Sequence, residues 1–225
     1  MKLSVIIPVY NEKATLVTII DRVLAVPLEK EVIAVDDFSS DGSREILKNL
    51  DRPGLMKVFH EKNKGKGAAI RTGIQYVSGD VVIIQDADLE YDPNEYLKLI
   101  EPIKSGSADV VYGSRFSGST EKMTFAHMLG NKVLTITTNL LYGTKLTDME
   151  TCYKLIKAPL MKSFKLRANR FDFEPEITSK ILKSGKRIVE VPITYEGRHW
   201  DEGKKITWKD GIAALWSLIK YRFID

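Results

Sequence analysis

Apolar runs and helical apolar patterns alternate along the first half of the chain. Runs rich in β-branched residues at Ser4–Val9, Glu31–Val35 and Val81–Ile84 are typical of strands that are covered on both faces. After the first run, apolar residues recur at helical spacing. These positions are Leu16, Ile19, Ile20, Val23 and Leu24. Strand, turn and helix occur twice within the first 50 residues. This alternation predicts right-handed βαβ units on a mostly parallel sheet flanked by helices, an α/β fold.

The remaining pattern continues this alternation. Further strands are predicted at 57–60, 109–112, 153–156 and 188–193, and further helices at 121–142, from about Pro175 and at 207–225. The 121–142 segment carries apolar residues throughout its length, and its methionines are interpreted as core filler.

The run Val81–Ile84 is followed by acidic residues at every second position, namely Asp86, Asp88 and Glu90. Ligands of open α/β sheets bind beyond the carboxyl ends of the strands, where these side chains are expected to lie. Crowded carboxylates repel one another unless a cation neutralises them, and their hard oxygens suit Mg²⁺ or Mn²⁺ with substrate phosphates completing the shell. The pattern predicts a divalent-metal and phosphate site. A solvated acidic turn is the alternative.

A glycine-lysine turn, Gly65-Lys66-Gly67, follows the predicted strand at 57–60. It lacks the spacing of a phosphate-binding P-loop, and Ile70 stands where the dinucleotide fingerprint has its third glycine. Two interpretations stay open: a tight turn that lets the backbone approach a ligand, or a purely structural turn.

Composition limits the class of protein. The chain has 225 residues, of which 44% are hydrophobic, and this size suits one large α/β domain with a small C-terminal extension. Its one cysteine, Cys152, excludes an intrachain disulfide and favours a reducing compartment. No signal peptide and no apolar run of about 20 residues is found, so a soluble or peripheral protein is expected.

The charge is distributed unevenly. Residues 1–150 carry 18 basic and 21 acidic side chains, whereas residues 151–225 carry 16 basic and 9 acidic side chains. A basic C-terminal third favours an anionic partner such as a phosphate or a lipid headgroup, and no nucleic-acid motif is found. The segment 207–225 combines tryptophan, aliphatic and basic residues, which fits a helix at a membrane interface. Packing on the core or on a partner subunit is the alternative.

Three motifs together resemble the family 2 glycosyltransferases. They are Pro8-Val9-Tyr10-Asn11-Glu12, Asp36-Asp37-Phe38-Ser39-Ser40-Asp41-Gly42 and Asp86-Ala87-Asp88. Gly113-Ser114-Arg115 and the loop from Arg198 to Lys204 narrow the resemblance to the polyprenyl-phosphate branch, the dolichol-phosphate mannose and glucose synthases. The resemblance implies a glycosyltransferase A fold over residues 1–195, followed at 196–225 by a basic mobile loop and an amphipathic helix.

The resemblance also implies roles for individual residues. The base and ribose of a nucleotide-diphosphate sugar would be held by Pro8, Tyr10, Glu12, Val35 and Asp37. Asp86, Ala87 and Asp88 would lie against the diphosphate and sugar. Asp88 and Glu90 would ligate Mg²⁺ or Mn²⁺, together with Asp86 from the charge pattern. Arg115, Arg198 and Lys204 would bind phosphates, and Asp88, Arg115 and Arg198 are the predicted catalytic residues.

The expected activity is inverting transfer of mannose or glucose from GDP-mannose or UDP-glucose to a polyprenyl phosphate, by a protein peripheral on the cytoplasmic face of the membrane. A lipid phosphate has a second pKa of about 6 and is largely anionic at neutral pH, so it needs positioning more than a general base. Asp148, and more weakly Glu174, would serve as a base for a saccharide or protein acceptor, although a structural cap is the favoured interpretation of both. An inactive nucleotide-binding or scaffolding subunit is the third hypothesis. Whether a membrane-anchoring subunit recruits the chain stays open.

Overall fold

A seven-stranded sheet forms the centre of the protein in a computed structural model that describes residues 1–198 and 208–224. The strands are β1 (Leu3–Val9), β2 (Lys30–Asp36), β3 (Leu55–Phe59), β4 (Val81–Ile84), β5 (Val110–Glu121), β6 (Lys154–Lys157) and β7 (Ile188–Glu196). Their order across the sheet is β3-β2-β1-β4-β6-β5-β7. β6 runs antiparallel to both of its neighbours, whereas every other pair of neighbours is parallel. Six strands therefore end at the same edge, which confirms the predicted mostly parallel sheet.

Helices connect and cover these strands. Among the described residues they are α1 (Leu16–Ala25), α2 (Ser43–Asn49), α3 (Lys66–Ile74), α4 (Tyr96–Leu99), α5 (Glu101–Lys104), α6 (Phe125–Tyr142), α7 (Ala158–Ser163), α8 (Phe173–Lys183) and α9 (Trp208–Phe223), with a short 3₁₀ helix at Pro93–Glu95. The helix α1 buries Leu16, Ile19, Ile20 and Val23, four of the five positions that the pattern assigns to its apolar face. All four residues of β4 are buried, as the apolar run predicts for a strand with neighbours on both sides.

The helices α6, α8 and α9 pack together beside the sheet. The hydroxyl of Tyr142 lies 2.7 Å from Ser179 Oγ and 2.8 Å from the carbonyl oxygen of Leu218, so it joins all three helices. Arg222 Nε donates to the carbonyl oxygen of Leu141 over 2.8 Å. These polar contacts fix α9 against the end of α6.

Most of the apolar positions in α6 are exposed rather than buried in the core. Its buried residues are Leu134, Thr135 and Thr138. An exposed stripe lies on the opposite side of the helix and consists of Phe125, Leu129, Val133, Ile136 and Leu140. The helix α9 repeats this arrangement, with Ile212, Trp216, Ile219 and Phe223 exposed. We call these two sets the apolar stripes. In the part of the chain that the structure describes, no helix is long and apolar enough to cross a membrane.

Candidate active site

A cavity of about 420 Å³ opens at the carboxyl edge of β1, β2 and β4. Its walls contain nine of the predicted site residues. They are Pro8, Tyr10, Glu12, Asp37, Asp86, Ala87, Asp88, Glu90 and Arg198. Asn63, Gly65, Lys66, Arg170, Phe171 and Asp210 also line it. The fold thus brings together side chains from widely separated segments, because parallel strands end at a common edge.

The acidic residues after β4 pair with cations of the protein. Lys66 Nζ lies 2.8 Å from Asp86 Oδ1 and 3.1 Å from Glu174 Oε1. Arg198 Nη2 lies 2.8 Å from Asp88 Oδ2, and its Nη1 lies 3.1 Å from Glu12 Oε2. A lysine and an arginine therefore offset part of the acidic charge for which the sequence pattern predicts a metal ion.

The two aspartates of this edge differ in acidity. Burial raises the pKa of Asp88 to about 7, and the negative charges of Asp86 and Glu90 act in the same direction. Burial opposes ionisation of Asp86 as well, but the Lys66 ammonium outweighs it and lowers the pKa of that carboxyl. Asp86 is thus held ionised, whereas the pKa of Asp88 stays raised even beside the Arg198 guanidinium.

Glu90 is fixed by the end of β7. Tyr195 donates its hydroxyl hydrogen to Glu90 Oε2 over 2.8 Å, and the backbone N–H of Arg198 donates to Oε1 over 3.0 Å. Arg198 Nε lies 3.4 Å from the same Oε1. The segment that follows β7 therefore reaches the acidic edge directly and delivers Arg198 among three carboxylates.

Asp37 holds the turn that precedes α3. Its Oδ1 accepts from the backbone N–H of Lys64 over 2.8 Å and lies 2.7 Å from His60 Nδ1, and its Oδ2 accepts from the N–H of Gly65 over 2.6 Å. The side chain is buried and forms part of the cavity wall. Asp37 therefore positions the glycine-lysine turn as well as facing the region where the sequence motifs place the nucleoside.

The glycines of this turn allow two backbone segments to touch. A Cβ atom at Gly65 would lie 2.2 Å from the carbonyl oxygen of Asn169, and one at Gly67 would lie 2.6 Å from that of Ala168. Gly65 also has a φ of +95°, which residues with side chains rarely adopt. Of the two open interpretations, the structural one accounts for the glycines, because they approach the protein's own chain. The intervening Lys66 reaches the cavity.

Arg115 is placed differently from its sequence-based assignment. It lies inside β5, is buried, and does not line the cavity. Its Nε and Nη2 lie 2.7 Å from the two carboxylate oxygens of Asp148, and its backbone N–H donates to the same carboxylate over 3.0 Å. The strand continues past the predicted end at Tyr112, and the buried side chain of Arg115 is paired with Asp148 instead of facing the cavity.

The candidate bases are engaged in the same way. Asp148 is bound by Arg115, is fully buried and does not line the cavity. Glu174 is bound by Lys66.

Val35, a predicted substrate-binding residue, is fully buried and does not line the cavity either. Lys204 and the rest of the predicted basic loop after Arg198 lie outside the described residues.

The composition of the cavity fits a divalent cation. Its lining contains six carboxylates, from Glu12, Asp37, Asp86, Asp88, Glu90 and Asp210, and three cationic side chains, from Lys66, Arg170 and Arg198. An anionic diphosphate would add to this negative excess, and hard oxygen donors suit Mg²⁺ or Mn²⁺. Within residues 1–198 and 208–224, no three acidic, histidine or cysteine side chains are already arranged around one metal position. Asp86, Asp88 and Glu90 are the carboxylates that would hold the ion, and two of them contact Arg198 in this structure.

Some residues of the site carry no recognisable signal in the sequence. Arg170 and Phe171 lie between α7 and α8, far from any strand end in the sequence, and they reach the cavity only because their segment packs on the glycine turn. His60 offers a weak signal, since it directly follows β3, but its pairing with Asp37 requires knowledge of the neighbouring strand.

Comparison with known proteins agrees with the fold. Residues 4–164 match the family model described as glycosyl transferase family 2. A dolichol-phosphate mannosyltransferase of Pyrococcus furiosus is 36% identical over 91% of this chain, and the chain spans 59% of the length of that relative. An undecaprenyl-phosphate mannosyltransferase of Micrococcus luteus is 28% identical over 99% of both chains. A UDP-N-acetylglucosamine–dolichyl-phosphate N-acetylglucosaminyltransferase of Methanococcus voltae is 30% identical over 84% of this chain and 83% of its own length.

A solved structure confirms the fold. Glucosyl-3-phosphoglycerate synthase from Mycobacterium tuberculosis has a TM-score of 0.78, with 19% sequence identity over 100% of this chain and 81% of that one. A structure of the same synthase contains Mg²⁺ and uridine diphosphate. At this identity the likeness supports the glycosyltransferase A architecture and no shared substrate. The family model covers more than half of the chain and the Pyrococcus furiosus relative exceeds 30% identity over most of it, so this protein belongs to the family 2 glycosyltransferases.

Proposed function

We propose that this protein transfers a hexose from a nucleotide-diphosphate sugar to a polyprenyl phosphate, with inversion at the anomeric carbon. The observation that carries the proposal is the cavity at the carboxyl edge of β1, β2 and β4, in which three carboxylates after β4 face Arg198 and Lys66. Two of the three relatives are named for mannose and one for N-acetylglucosamine, but all three names contain dolichol, dolichyl or undecaprenyl phosphate. These names therefore support a polyprenyl-phosphate acceptor more strongly than they support mannose or glucose as the transferred sugar.

The charges of the cavity suit departure of a diphosphate. Cleavage of the bond between the sugar and the diphosphate develops negative charge on the leaving group, which preorganised cations stabilise. A bound Mg²⁺ or Mn²⁺ would supply part of this charge neutralisation. Asp88 and Glu90 hold Arg198 at the wall of the cavity, where its guanidinium can donate to phosphate oxygens.

The engaged state of the candidate bases favours a phosphate acceptor. A hydroxyl acceptor needs a carboxylate to remove its proton, but Asp148 is bound to Arg115 and Glu174 to Lys66. A phosphate monoester is already largely anionic at neutral pH. An acceptor that brings its own negative charge therefore matches the site better than a saccharide or protein hydroxyl.

The apolar stripes of α6 and α9 support action at a membrane surface. Ile136 is 57% exposed and Trp216 is 64% exposed, and both lie opposite the buried faces of their helices. Lys132 belongs to α6 and Lys220 to α9, which suits a surface of anionic lipid. We place the protein on the cytoplasmic face, where its free cysteine stays reduced.

Transfer is tested by incubating the protein and Mg²⁺ or Mn²⁺ with radiolabelled GDP-mannose and, separately, UDP-glucose, with a short-chain polyprenyl phosphate in detergent. Label in the organic phase supports the proposal and names the donor. If the protein binds nucleotide and labels an added saccharide but no lipid, the acceptor is a hydroxyl group and the proposed lipid acceptor is wrong.

Membrane contact is tested by flotation with anionic phospholipid vesicles. We expect the double variant Ile136→Asp/Trp216→Asp to lose most of its vesicle binding, because each substitution places a charge on an apolar stripe. Tyr76→Asp is the matched control, since Tyr76 is 44% exposed and lies outside both helices. Two results would show that the stripes bind protein rather than lipid. One is equal flotation of the double variant and the control, and the other is an oligomer that the control forms and the double variant does not.

A further inference from the structure

Among the described residues, three cationic side chains line the cavity, and they differ in what they contact. Arg198 is surrounded by Glu12, Asp88 and Glu90, and Lys66 lies between Asp86 and Glu174. Arg170 is exposed, and its guanidinium makes no ion pair or hydrogen bond with any of residues 1–198 or 208–224. Of these three cations, Arg170 can therefore meet an anionic ligand without first giving up a carboxylate of the described chain.

The position of Arg170 is set by backbone packing. Its segment lies against the glycine turn so closely that a Cβ atom on Gly65 would come within 3.0 Å of Arg170 Cγ. The N–H of Ala68 donates to the carbonyl oxygen of Asn169 over 3.2 Å, and Arg170's own N–H donates to Asp172 Oδ1 over 3.0 Å. The backbone and the first part of the Arg170 side chain are thus fixed beside the cavity, although the guanidinium is exposed.

Arg115 and Arg198, two of the predicted phosphate ligands, are placed less well for this role. Arg115 is buried against Asp148 and does not line the cavity, and Arg198 is shared among three carboxylates. Arginine binds phosphate through a planar fork of donors, which a lysine cannot reproduce. Because the cavity lining carries more carboxylates than cations, a nucleotide diphosphate needs a cation to offset its charge, and an exposed arginine on a fixed segment can supply it.

We propose that Arg170 binds the diphosphate of the donor, from the wall formed by the glycine turn and the 168–171 segment. Arg198 would approach the same diphosphate from the segment that follows β7. Lys66 would remain between Asp86 and Glu174. This inference rests on the proposed use of a nucleotide-diphosphate donor, and it assigns a donor-binding residue outside the three motifs of the sequence.

Equilibrium binding tests the assignment. GDP, UDP and the matching monophosphates are titrated into the protein by calorimetry, with Mg²⁺ and again with EDTA. We expect Arg170→Gln to weaken binding of the preferred diphosphate about 10- to 100-fold, as for loss of a charge-assisted hydrogen bond. Arg170→Lys should give an intermediate loss, because it keeps the charge without the fork. Monophosphate binding should fall less than diphosphate binding.

Arg187→Gln is the matched control, because Arg187 is exposed and does not line the cavity. Its diphosphate affinity should equal that of the wild type, and urea midpoints of all variants should agree. Unchanged diphosphate affinity in Arg170→Gln would overturn the assignment and leave the proposed transferase function intact. Failure of the wild type to bind either diphosphate would overturn both. If Arg170→Gln binds the diphosphate more weakly and the wild type forms no lipid product, the assignment of Arg170 is supported and only the proposed acceptor is refuted.

Discussion

The buried pair of Arg115 and Asp148 leads to a prediction that separates a structural role from a ligand-binding role. Arg115→Met removes the guanidinium and leaves a carboxylate that is fully buried. The substitution breaks two charged hydrogen bonds of 2.7 Å, which Nε and Nη2 donate to the Asp148 carboxylate. Breaking a buried ion pair from one side costs about 3–5 kcal/mol, because the remaining charge is unpaired in a medium of low dielectric constant.

This cost can be measured by urea denaturation. With a slope of about 2–3 kcal/mol per molar urea for a chain of this size, the midpoint of Arg115→Met should fall by about 1–2.5 M. The double variant Arg115→Met/Asp148→Leu should recover about 2 kcal/mol, because it removes the unpaired carboxylate as well. Arg187→Met, at an exposed position, should unfold like the wild type.

The binding behaviour of the same variants completes the test. Under conditions where Arg115→Met is still folded, its affinity for nucleotide diphosphates and for polyprenyl phosphate should match that of the wild type. A variant with wild-type stability but reduced affinity for either ligand would refute the structural interpretation and restore the sequence-based assignment of Arg115 as a phosphate ligand.

Three further predictions concern stability and metal dependence. Burial opposes ionisation of Glu31, but hydrogen bonds from Lys2 and neighbouring serines outweigh burial and lower the pKa of Glu31 to about 2. Glu31 therefore contributes stability above about pH 4.5, and this contribution is lost as the pH falls toward 2. After allowance for solvent screening, Glu31→Gln should cost about 1–2 kcal/mol at pH 7 and abolish that pH dependence in urea titrations. Gly65→Ala should cost about 3 kcal/mol, against about 1 kcal/mol for Gly106→Ala, because both have positive φ but only Gly65 meets a backbone oxygen. Equal urea midpoints for these two variants would contradict this reasoning. Asp88→Ala should abolish sugar transfer with Mg²⁺ or Mn²⁺, and wild-type rates would overturn its assignment as a metal ligand.

Much of the fold follows from local pattern. Buried strands such as β4 and the apolar face of α1 can be predicted because burial imposes a residue period that the sequence displays. Asp92 accepts a hydrogen bond from the N–H of Asn94 at the start of the 3₁₀ helix, which is the usual role of an aspartate just before a helix. The acidic residues after β4 line the cavity because every strand of this direction ends at that edge.

Other features depend on contacts between distant segments. Helical spacing alone cannot distinguish a buried stripe from an exposed one, and within α6 Leu134 is buried while Ile136 is 57% exposed. The sequence motif suggests a phosphate ligand at Arg115, but it cannot show that this side chain pairs with Asp148, 33 residues further along the chain. Arg170 has no signal in the sequence, because only the packing of its segment on Gly65 brings it to the cavity.

The most direct test of the proposed transfer is the stoichiometry of the reaction products. The protein is incubated with polyprenyl phosphate and each nucleotide sugar, the lipid fraction is analysed by mass spectrometry, and the released nucleotide diphosphate is quantified. We predict that the lipid gains one hexose on its phosphate, that one nucleotide diphosphate is released for each glycolipid formed, and that Asp88→Ala forms neither product. Release of nucleotide diphosphate by the wild-type protein without any change in the lipid would contradict the proposed transfer.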